Sequence, residues 1–259
     1  MKRSLKLYIA LTLTIAALVC ANSSLAEEHP KIDTHKGWKS LFNGKDLTGW
    51  RRIKNMDRWT LEKEKDASGT WVVENGTIAR KGGADLWTVD KYGDFILDLE
   101  YKIAPGCNSG VLFRLASPSD KTKGWWEEGV MEMQILDTYG VPKPTMHDGG
   151  ALYDMMPPTT NAMRKAGEWN HATITAKGSK IKFVLNGKKV IDTDLDRWTE
   201  AHKNPDGSPN KFSKPFKDSP RRGYIFLQDH GAPVWFRNIY IKKLDGASRD
   251  AGKKDAGKK

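Results

Sequence analysis

The amino-acid sequence predicts an all-β fold, a sandwich or a barrel of short strands. Beyond residue 26 there is little helical periodicity, and strand-like runs alternate with Gly, Pro, Asn and Asp. Two runs contain an Asn-Gly pair, Asn75-Gly76 and Asn186-Gly187. Because Asn-Gly favours the type I′ turn of a two-residue β-hairpin, both runs are predicted to fold back on themselves as antiparallel hairpins.

The remaining elements follow from the alternation of side chains along a strand, where successive residues point to opposite faces. In the run 95–103 every odd position is apolar, whereas Asp98, Glu100 and Lys102 occupy even positions. This pattern predicts one core face and one solvated face. The predicted strands are 71–80, 95–103, 110–116, 130–137, 171–177, 181–191, 224–230 and 234–244.

Three strand-like segments, 108–114, 132–137 and 227–231, carry polar side chains at regular intervals. In the second segment Glu132 and Gln134 fall on one face, opposite a face of methionine and isoleucine. Because an unpaired buried carboxylate is costly, a carboxylate and an amide on one face indicate a polar groove. An ordinary solvated sheet face is the alternative for any single strand.

The chain begins with the features of a secretory signal peptide. Lys2, Arg3 and Lys6 precede the apolar run 7–19, and a small-x-small cleavage site ends at Ala26. We therefore expect a signal peptide at residues 1–26 and a periplasmic or secreted protein. The apolar run is short for a stable membrane span.

The other end of the chain, residues 246–259, is rich in Lys, Ala and Gly and is predicted to be a disordered tail. The formal net charge is +11, of which the signal and the tail each contribute +3, so +5 remains for the rest. No basic stripe is interleaved with aromatic residues, so nucleic acid is not an expected partner.

Several classes of catalytic site are excluded by their motifs. Cys107 is the only cysteine after residue 26, which rules out an internal disulfide and a cysteine-based zinc site in that part of the chain. There is no Gly-x-Ser-x-Gly elbow, Gly-rich phosphate loop or His-Glu-x-x-His pair. The strand of Glu132 offers one carboxyl to its face, whereas a retaining glycosidase needs two, about 5–5.5 Å apart. Asp137 or a loop residue could supply a second.

Three long connections, 117–129, 138–169 and 196–223, interrupt the strands, and such loops are usually functional or disordered. The third, rich in Lys, Asn, Pro and Ser, is expected to be the least ordered. Trp125-Trp126 in the first is a candidate platform for stacking on a sugar ring. Tryptophans near strand signals are expected in the core; these are Trp50, Trp59, Trp71, Trp169 and Trp235.

The strands and loops concentrate the mixture of carboxylates, histidines, arginines and amides that a polyhydroxylated ligand requires. The candidate acid–base residues are Glu132, His147, Tyr153 and His230. The candidate ligand-binding residues are Asn108, Arg114, Gln134, Asp137, Gln228 and Arg237, with Trp125 and Trp126. Glu132, Asp137 and His147 are also candidate ligands for a divalent cation.

Seven segments, in order, carry a family resemblance: GWKSLFNGKDLTGW (37–50), YGDFILDLEYKI (92–103), NSGVLFR (108–114), EMQILD (132–137), GEWN (167–170), LNGKKV (185–190) and LQDHGAPVWFRNIYIKKL (227–244). Together they resemble the 3-keto-disaccharide hydrolase domain family over about residues 36–245. The resemblance implies a concanavalin A-like (jelly-roll) sandwich of two antiparallel sheets, with the ligand on the concave face.

The resemblance also implies an enzyme that cleaves 3-keto-glycosides made by a separate sugar 3-dehydrogenase. The ketone makes the C2 proton acidic, so that the aglycone leaves C1 by elimination and water adds afterwards. That chemistry needs no pair of flanking carboxyls. In this hypothesis Glu132 or His230 is the base, Arg114 or a divalent cation steadies the enolate, and His147 or Tyr153 assists the leaving group.

Two other functions remain open at this point. A sandwich of this class could be a lectin-like, non-catalytic carbohydrate-binding module, because a fold does not determine a function. It could also be a conventional glycosidase that acts on unoxidised glycans.

Overall fold

The computed structural model describes residues 36–52, 70–116 and 129–244. The predicted signal peptide, the predicted tail and Trp59, Trp125 and Trp126 lie outside the described residues. Within these ranges, no helix has the length and apolar character to cross a membrane.

Two antiparallel sheets make up the described part of the chain, which confirms the predicted all-β sandwich. The strands are β1 (Trp38–Ser40), β2 (Trp50–Arg52), β3 (Trp71–Glu74), β4 (Thr77–Arg80), β5 (Leu86–Thr88), β6 (Phe95–Ile103), β7 (Asn108–Leu115), β8 (Met131–Leu136), β9 (Trp169–Lys177), β10 (Lys180–Leu185), β11 (Lys188–Asp194), β12 (Tyr224–Leu227) and β13 (Val234–Lys243). The larger sheet has the strand order β11-β10-β9-β6-β13-β4-β3, with β1 also paired to β13, and the smaller has the order β2-β5-β12-β7-β8. Two 3₁₀ turns, Leu195–Arg197 and Phe216–Asp218, lie between β11 and β12.

Both predicted hairpins are confirmed. Asn75 and Gly76 join β3 to β4 with φ of 50° and 70°, and Asn186 and Gly187 join β10 to β11 with φ of 49° and 77°. A type I′ turn needs positive φ at both central residues, and Asn and Gly reach that region at the lowest cost. The turn residues therefore fix the register of these strand pairs.

The core lies between the sheets and takes one face of each strand. Met131, Met133 and Ile135 of β8 are fully buried in it. Phe113 of β7 packs edge to face against Phe95, at 6.0 Å between ring centroids. Each such buried side chain contributes about 1.5–3 kcal/mol, so the face of β7 and β8 that enters the core is strongly specified. The alternate residues are thereby directed to the outer face of the smaller sheet.

The outer face of the larger sheet holds two tryptophans that were predicted to lie in the core. Trp169 and Trp235 are partly exposed and flank Lys102, whose Nζ lies 5.2 and 4.8 Å from their ring centroids. The prediction is wrong for these two because the register pairs both with Lys102 on the wet face of β6. Trp50 and Trp71 are buried as predicted.

Candidate active site

The three polar-bearing segments lie side by side in the smaller sheet, as the neighbouring strands β12, β7 and β8. Glu132 pairs with Leu112, and Gln134 pairs with Gly110. The N–H of Gln228, directly after β12, donates to the carbonyl of Gly110 at 3.0 Å. Glu132, Gln134 and Gln228 therefore occupy adjacent positions on the outer face of this sheet.

The Glu132 carboxyl is a buried acid on this face of the sheet. Its residue is only 6% exposed, and its side chain lies over Gly110: a Cβ on Gly110 would stand 2.2 Å from Oε1. No hydrogen bond to this carboxyl comes from any residue in the described ranges. Burial raises the pKa of Glu132 to about 8, the negative charge of Asp85 adds to the rise, and Lys211 opposes it. Such a carboxyl is a strong base when it ionises near neutral pH.

A second carboxyl, Asp85, belongs to the same neighbourhood, although no sequence signal singled it out. It comes just before β5 and accepts the N–H of Asp229 at 2.8 Å. Burial raises the pKa of Asp85 to about 7, with a contribution from the charge of Asp229. One signal could have found it. Asp85 stands two residues before Trp87, so strand alternation puts both on one face, and the Trp87 ring stacks on Phe226 at 3.8 Å between centroids.

Three side-chain amide oxygens on this face of the sheet lack a hydrogen-bond donor among the described residues. They are Asn108 Oδ1, Gln134 Oε1 and Gln228 Oε1, and all three atoms are buried. Leaving one buried acceptor unsatisfied costs about 1–3 kcal/mol. The Gln134 orientation is fixed because its Nε2 donates to the carbonyl of His147 at 3.3 Å. A ligand hydroxyl that reached these oxygens would remove the cost, which suits a polyhydroxylated molecule.

The second long connection runs along β8 and brings His147 and Tyr153 beside Glu132. The N–H of Tyr153 donates to the carbonyl of Glu132 at 3.0 Å, and the N–H of Gly150 donates to that of Gln134 at 2.8 Å. His147 Nε2 lies 2.8 Å from Asp154 Oδ1, and its ring centroid lies 5.1 Å from that of Tyr153. Burial, together with the charges of Glu132 and Asp154, raises the pKa of the Tyr153 hydroxyl.

The third long connection was expected to be the least ordered, and that expectation is wrong. Asn204 anchors it through buried hydrogen bonds: its Oδ1 accepts Trp198 Nε1 at 2.8 Å, and its Nδ2 donates to the carbonyl of Asp154 at 3.3 Å. The N–H of Lys211 donates to Asp154 Oδ2 at 2.7 Å. Polar residues that looked like a solvated loop in the sequence thus fasten this segment to the site.

A family model, the 3-keto-alpha-glucoside-1,2-lyase-like domain, matches residues 37–242. The chain belongs to this family. Membership confirms the family resemblance of the sequence segments and the enzyme class that it implied, a glycoside-cleaving enzyme.

Relatives match along most of the lyase-like domain. A 3-keto-disaccharide hydrolase of Bacteroides thetaiotaomicron is 29% identical over 232 residues, 81% of this chain and 79% of that protein. Among solved structures, a candidate glycosyl hydrolase of Parabacteroides distasonis is 34% identical with a TM-score of 0.66, covering 80% of this chain and 99% of that one. Another from the same organism is 28% identical with a TM-score of 0.64, covering 82% and 96%.

Several predicted site residues lie elsewhere in the lyase-like domain. Asp137 accepts the N–H of Gly106 at 2.8 Å, which caps a turn. Arg237 is on the larger sheet, where its Nε donates to Glu100 at 2.5 Å and its guanidinium lies 4.0 Å from the Trp169 ring centroid. His230 is exposed in the loop after β12.

The predicted cation ligands Glu132, Asp137 and His147 do not come together. Asp137 is turned to Gly106, and His147 Nε2 is engaged by Asp154. Across the described ranges, no group of three or more His, Cys, Asp and Glu could hold a metal ion.

Arg114 has a structural position instead of the predicted ligand-binding one. Its side chain is fully buried and donates to Asp94 Oδ1 at 3.1 Å, to the carbonyl of Gly178 at 2.7 Å and to that of Gly93 at 3.3 Å. A bulge explains the difference: Arg114 has φ of 64°, and the register with β12 shifts beside it. Strict alternation would have placed Arg114 on the face of Gly110, but a bulge re-aims the side chain.

We expect Arg114→Met to lower the free energy of unfolding by about 2–4 kcal/mol, because Asp94 and two carbonyls lose their buried donor. The turnover of the protein that remains folded should be unchanged. Urea unfolding and kcat at low temperature would measure the two effects. Normal stability with a lost turnover would instead place Arg114 in the reaction.

Proposed function

We propose that the protein cleaves 3-keto-glycosides by eliminating the aglycone from C1 and then adding water. The observation that carries this proposal is the buried Glu132 carboxyl, free of hydrogen bonds from the described residues and seated over Gly110. The family description and the name of the Bacteroides relative support the substrate class.

The steps balance without an oxidant, because a separate sugar 3-dehydrogenase has already made the ketone. Glu132 takes the C2 proton, and the electron pair of that bond becomes the C2=C3 double bond of an enolate. When the C3 carbonyl re-forms, the C1–O bond breaks and a C1=C2 double bond remains. Water then adds its hydroxyl to C1 and its proton to C2. The base and the leaving-group acid are the groups that such a site must supply.

His147 is the group that supplies the leaving-group proton in this scheme. Asp154 fixes the ring by its contact with Nε2, which leaves Nδ1 to exchange a proton with the aglycone oxygen. Glu132 is favoured over His230 as the base because it is enclosed beside the amides, whereas His230 is exposed in a loop.

Asp85 supports a second candidate function, a conventional glycosidase that uses Asp85 and Glu132 as its carboxyl pair. The test is product release from a 3-keto-glucoside and from its unoxidised parent. We expect aglycone release from the keto substrate alone. Release from the parent would favour the carboxyl pair, and binding of both without cleavage would favour a lectin-like module.

The pH dependence gives a further prediction. A base must be ionised, and burial raises the pKa of Glu132 to about 8. We therefore expect kcat/KM for the keto substrate to rise about tenfold per pH unit below pH 8 and to level off above it. Rates should be corrected for spontaneous elimination in alkali. A kcat/KM that falls through the same range would make Glu132 an acid.

A further inference from the structure

Lys211 lies against Tyr153, the residue whose backbone is joined to that of Glu132. Its backbone N–H is held by Asp154, and its Nζ lies 4.2 Å from the centroid of the Tyr153 ring. Tyr153 in turn is hydrogen-bonded through its N–H to the carbonyl of Glu132. The buried residues Asn210 and Phe212 flank Lys211 in the chain. The backbone of Lys211 is thus anchored to Asp154, and its ammonium group lies over Tyr153, within electrostatic range of the Glu132 carboxyl.

The ammonium group of Lys211 lies in the field of two carboxylates. Among the described residues, the charges of Glu132 and Asp154 act on Lys211, and the charge of Lys211 acts on Glu132. Lys211 as a whole residue is exposed, but loss of water around its ammonium group lowers the pKa of Lys211, and the two acids oppose that change. A positive charge in a partly desolvated site acts more strongly on developing negative charge than it would in water.

The hydrogen-bonding groups in the neighbourhood of Glu132 are of two kinds. Asn108, Gln134 and Gln228 present amide oxygens, which accept hydrogen bonds from sugar hydroxyls. A ketone oxygen only accepts, so these amide oxygens cannot hold it. The ammonium group of Lys211 carries only donors. The unsatisfied amide oxygens therefore suit sugar hydroxyls, whereas the ammonium group offers a ketone oxygen donors that carry a full positive charge.

We infer that Lys211 is a further catalytic residue, which binds the C3 oxygen of the substrate and stabilises the enolate. This inference rests on the proposed elimination mechanism. As the C2–H electron pair forms the C2=C3 double bond, the π pair of the C3 carbonyl moves to the C3 oxygen, and the ammonium group meets that charge without giving up its proton. The charge then passes to the aglycone oxygen as the C3 carbonyl re-forms. Lys211 takes the role that the sequence suggested for Arg114.

The test uses a substrate analogue that can enolise but has no aglycone, 3-keto-1,5-anhydroglucitol. Exchange of its C2 proton for deuterium, followed by NMR in D₂O, reports enolate formation alone. We expect Lys211→Met to slow both this exchange and cleavage of a 3-keto-glucoside by about 10²-fold, the usual loss for one oxyanion donor. Lys211→Arg should restore part of both rates. Lys217→Met, in the same connection and exposed, is the matched control and should change neither.

The pH profile separates a catalytic from a structural role. Because Lys211 lowers the pKa of Glu132, Lys211→Met should also move the rise in kcat/KM to higher pH. Wild-type exchange in Lys211→Met, or equal losses in the Met and Arg variants with an unmoved pH profile, would overturn the inference. Wild-type exchange in Glu132→Gln would instead overturn the proposed function.

Discussion

Replacing Glu132 with glutamine is expected to slow cleavage of a 3-keto-glucoside by about 10²–10⁴-fold, the range for loss of a general base. Glutamine keeps the shape of the side chain over Gly110 but cannot accept the C2 proton. The steady-state rate of cleavage and the rate of C2 deuterium exchange in 3-keto-1,5-anhydroglucitol should fall together. His147→Gln should slow cleavage but leave the exchange intact, because His147 acts after the proton has been removed.

The same substitution should make the fold more stable. The pKa of Glu132 is raised from an ordinary 4.5 to about 8, so the folded state holds a proton that the unfolded chain releases. Stability therefore falls as pH rises from 4.5 to 8. Glutamine does not ionise, so the variant does not lose this stability. We expect its free energy of unfolding to exceed that of the wild type by on the order of 1–3 kcal/mol at pH 8 and by almost nothing at pH 4. Urea unfolding at both pH values measures it.

His230→Ala is the matched comparison for the assignment of the base. His230 is exposed, so its removal should leave the exchange and cleavage rates within about threefold of wild type. A large loss in His230→Ala with a nearly normal Glu132→Gln would transfer the role of base to His230.

The sequence predicted the features that depend on local geometry. Asn75-Gly76 and Asn186-Gly187 specify their turns through backbone conformation alone. The alternation in 132–137 separates Glu132 from the methionine face because the period of a strand is fixed. Glu132, Gln134 and Gln228 then become neighbours through the pairing of their strands. The resemblance to a known family had implied a sandwich of two antiparallel sheets with the ligand on the concave face.

The residues that the sequence did not identify depend on tertiary contacts. Arg114 leaves the groove face because of one bulge, which the pattern of apolar residues did not show. Lys211 belongs to a connection whose composition suggested disorder, and buried hydrogen bonds of Asn204 bring that connection to Asp154. Asp85 precedes a strand of three residues, too short to produce a periodic signal.

The second large effect is expected from Gly110→Ala, a substitution that touches no reacting atom. Gly110 has an ordinary negative or extended φ, so alanine causes no backbone strain there. A Cβ at this position would lie 2.2 Å from Oε1 and 3.0 Å from Cδ of Glu132, so the carboxyl must move by about 1 Å or more. A displacement of that size costs about 10²-fold or more in rate. The end of a side chain can move at little cost, so the protein should stay folded.

A double-mutant cycle distinguishes displacement of Glu132 from any other effect of the added methyl group. If Gly110→Ala acts only by moving the carboxyl, it should have no further effect in the Glu132→Gln background, where the base is already lost. Deuterium exchange at C2 in the two single variants and the double variant gives the coupling directly. If the losses in exchange rate are additive, alanine obstructs the substrate itself. Gly110 would then lie against the sugar ring as well as against the carboxyl of Glu132. Either result locates the reacting carbon relative to β7, because Gly110 lies directly beneath the carboxyl that must reach it.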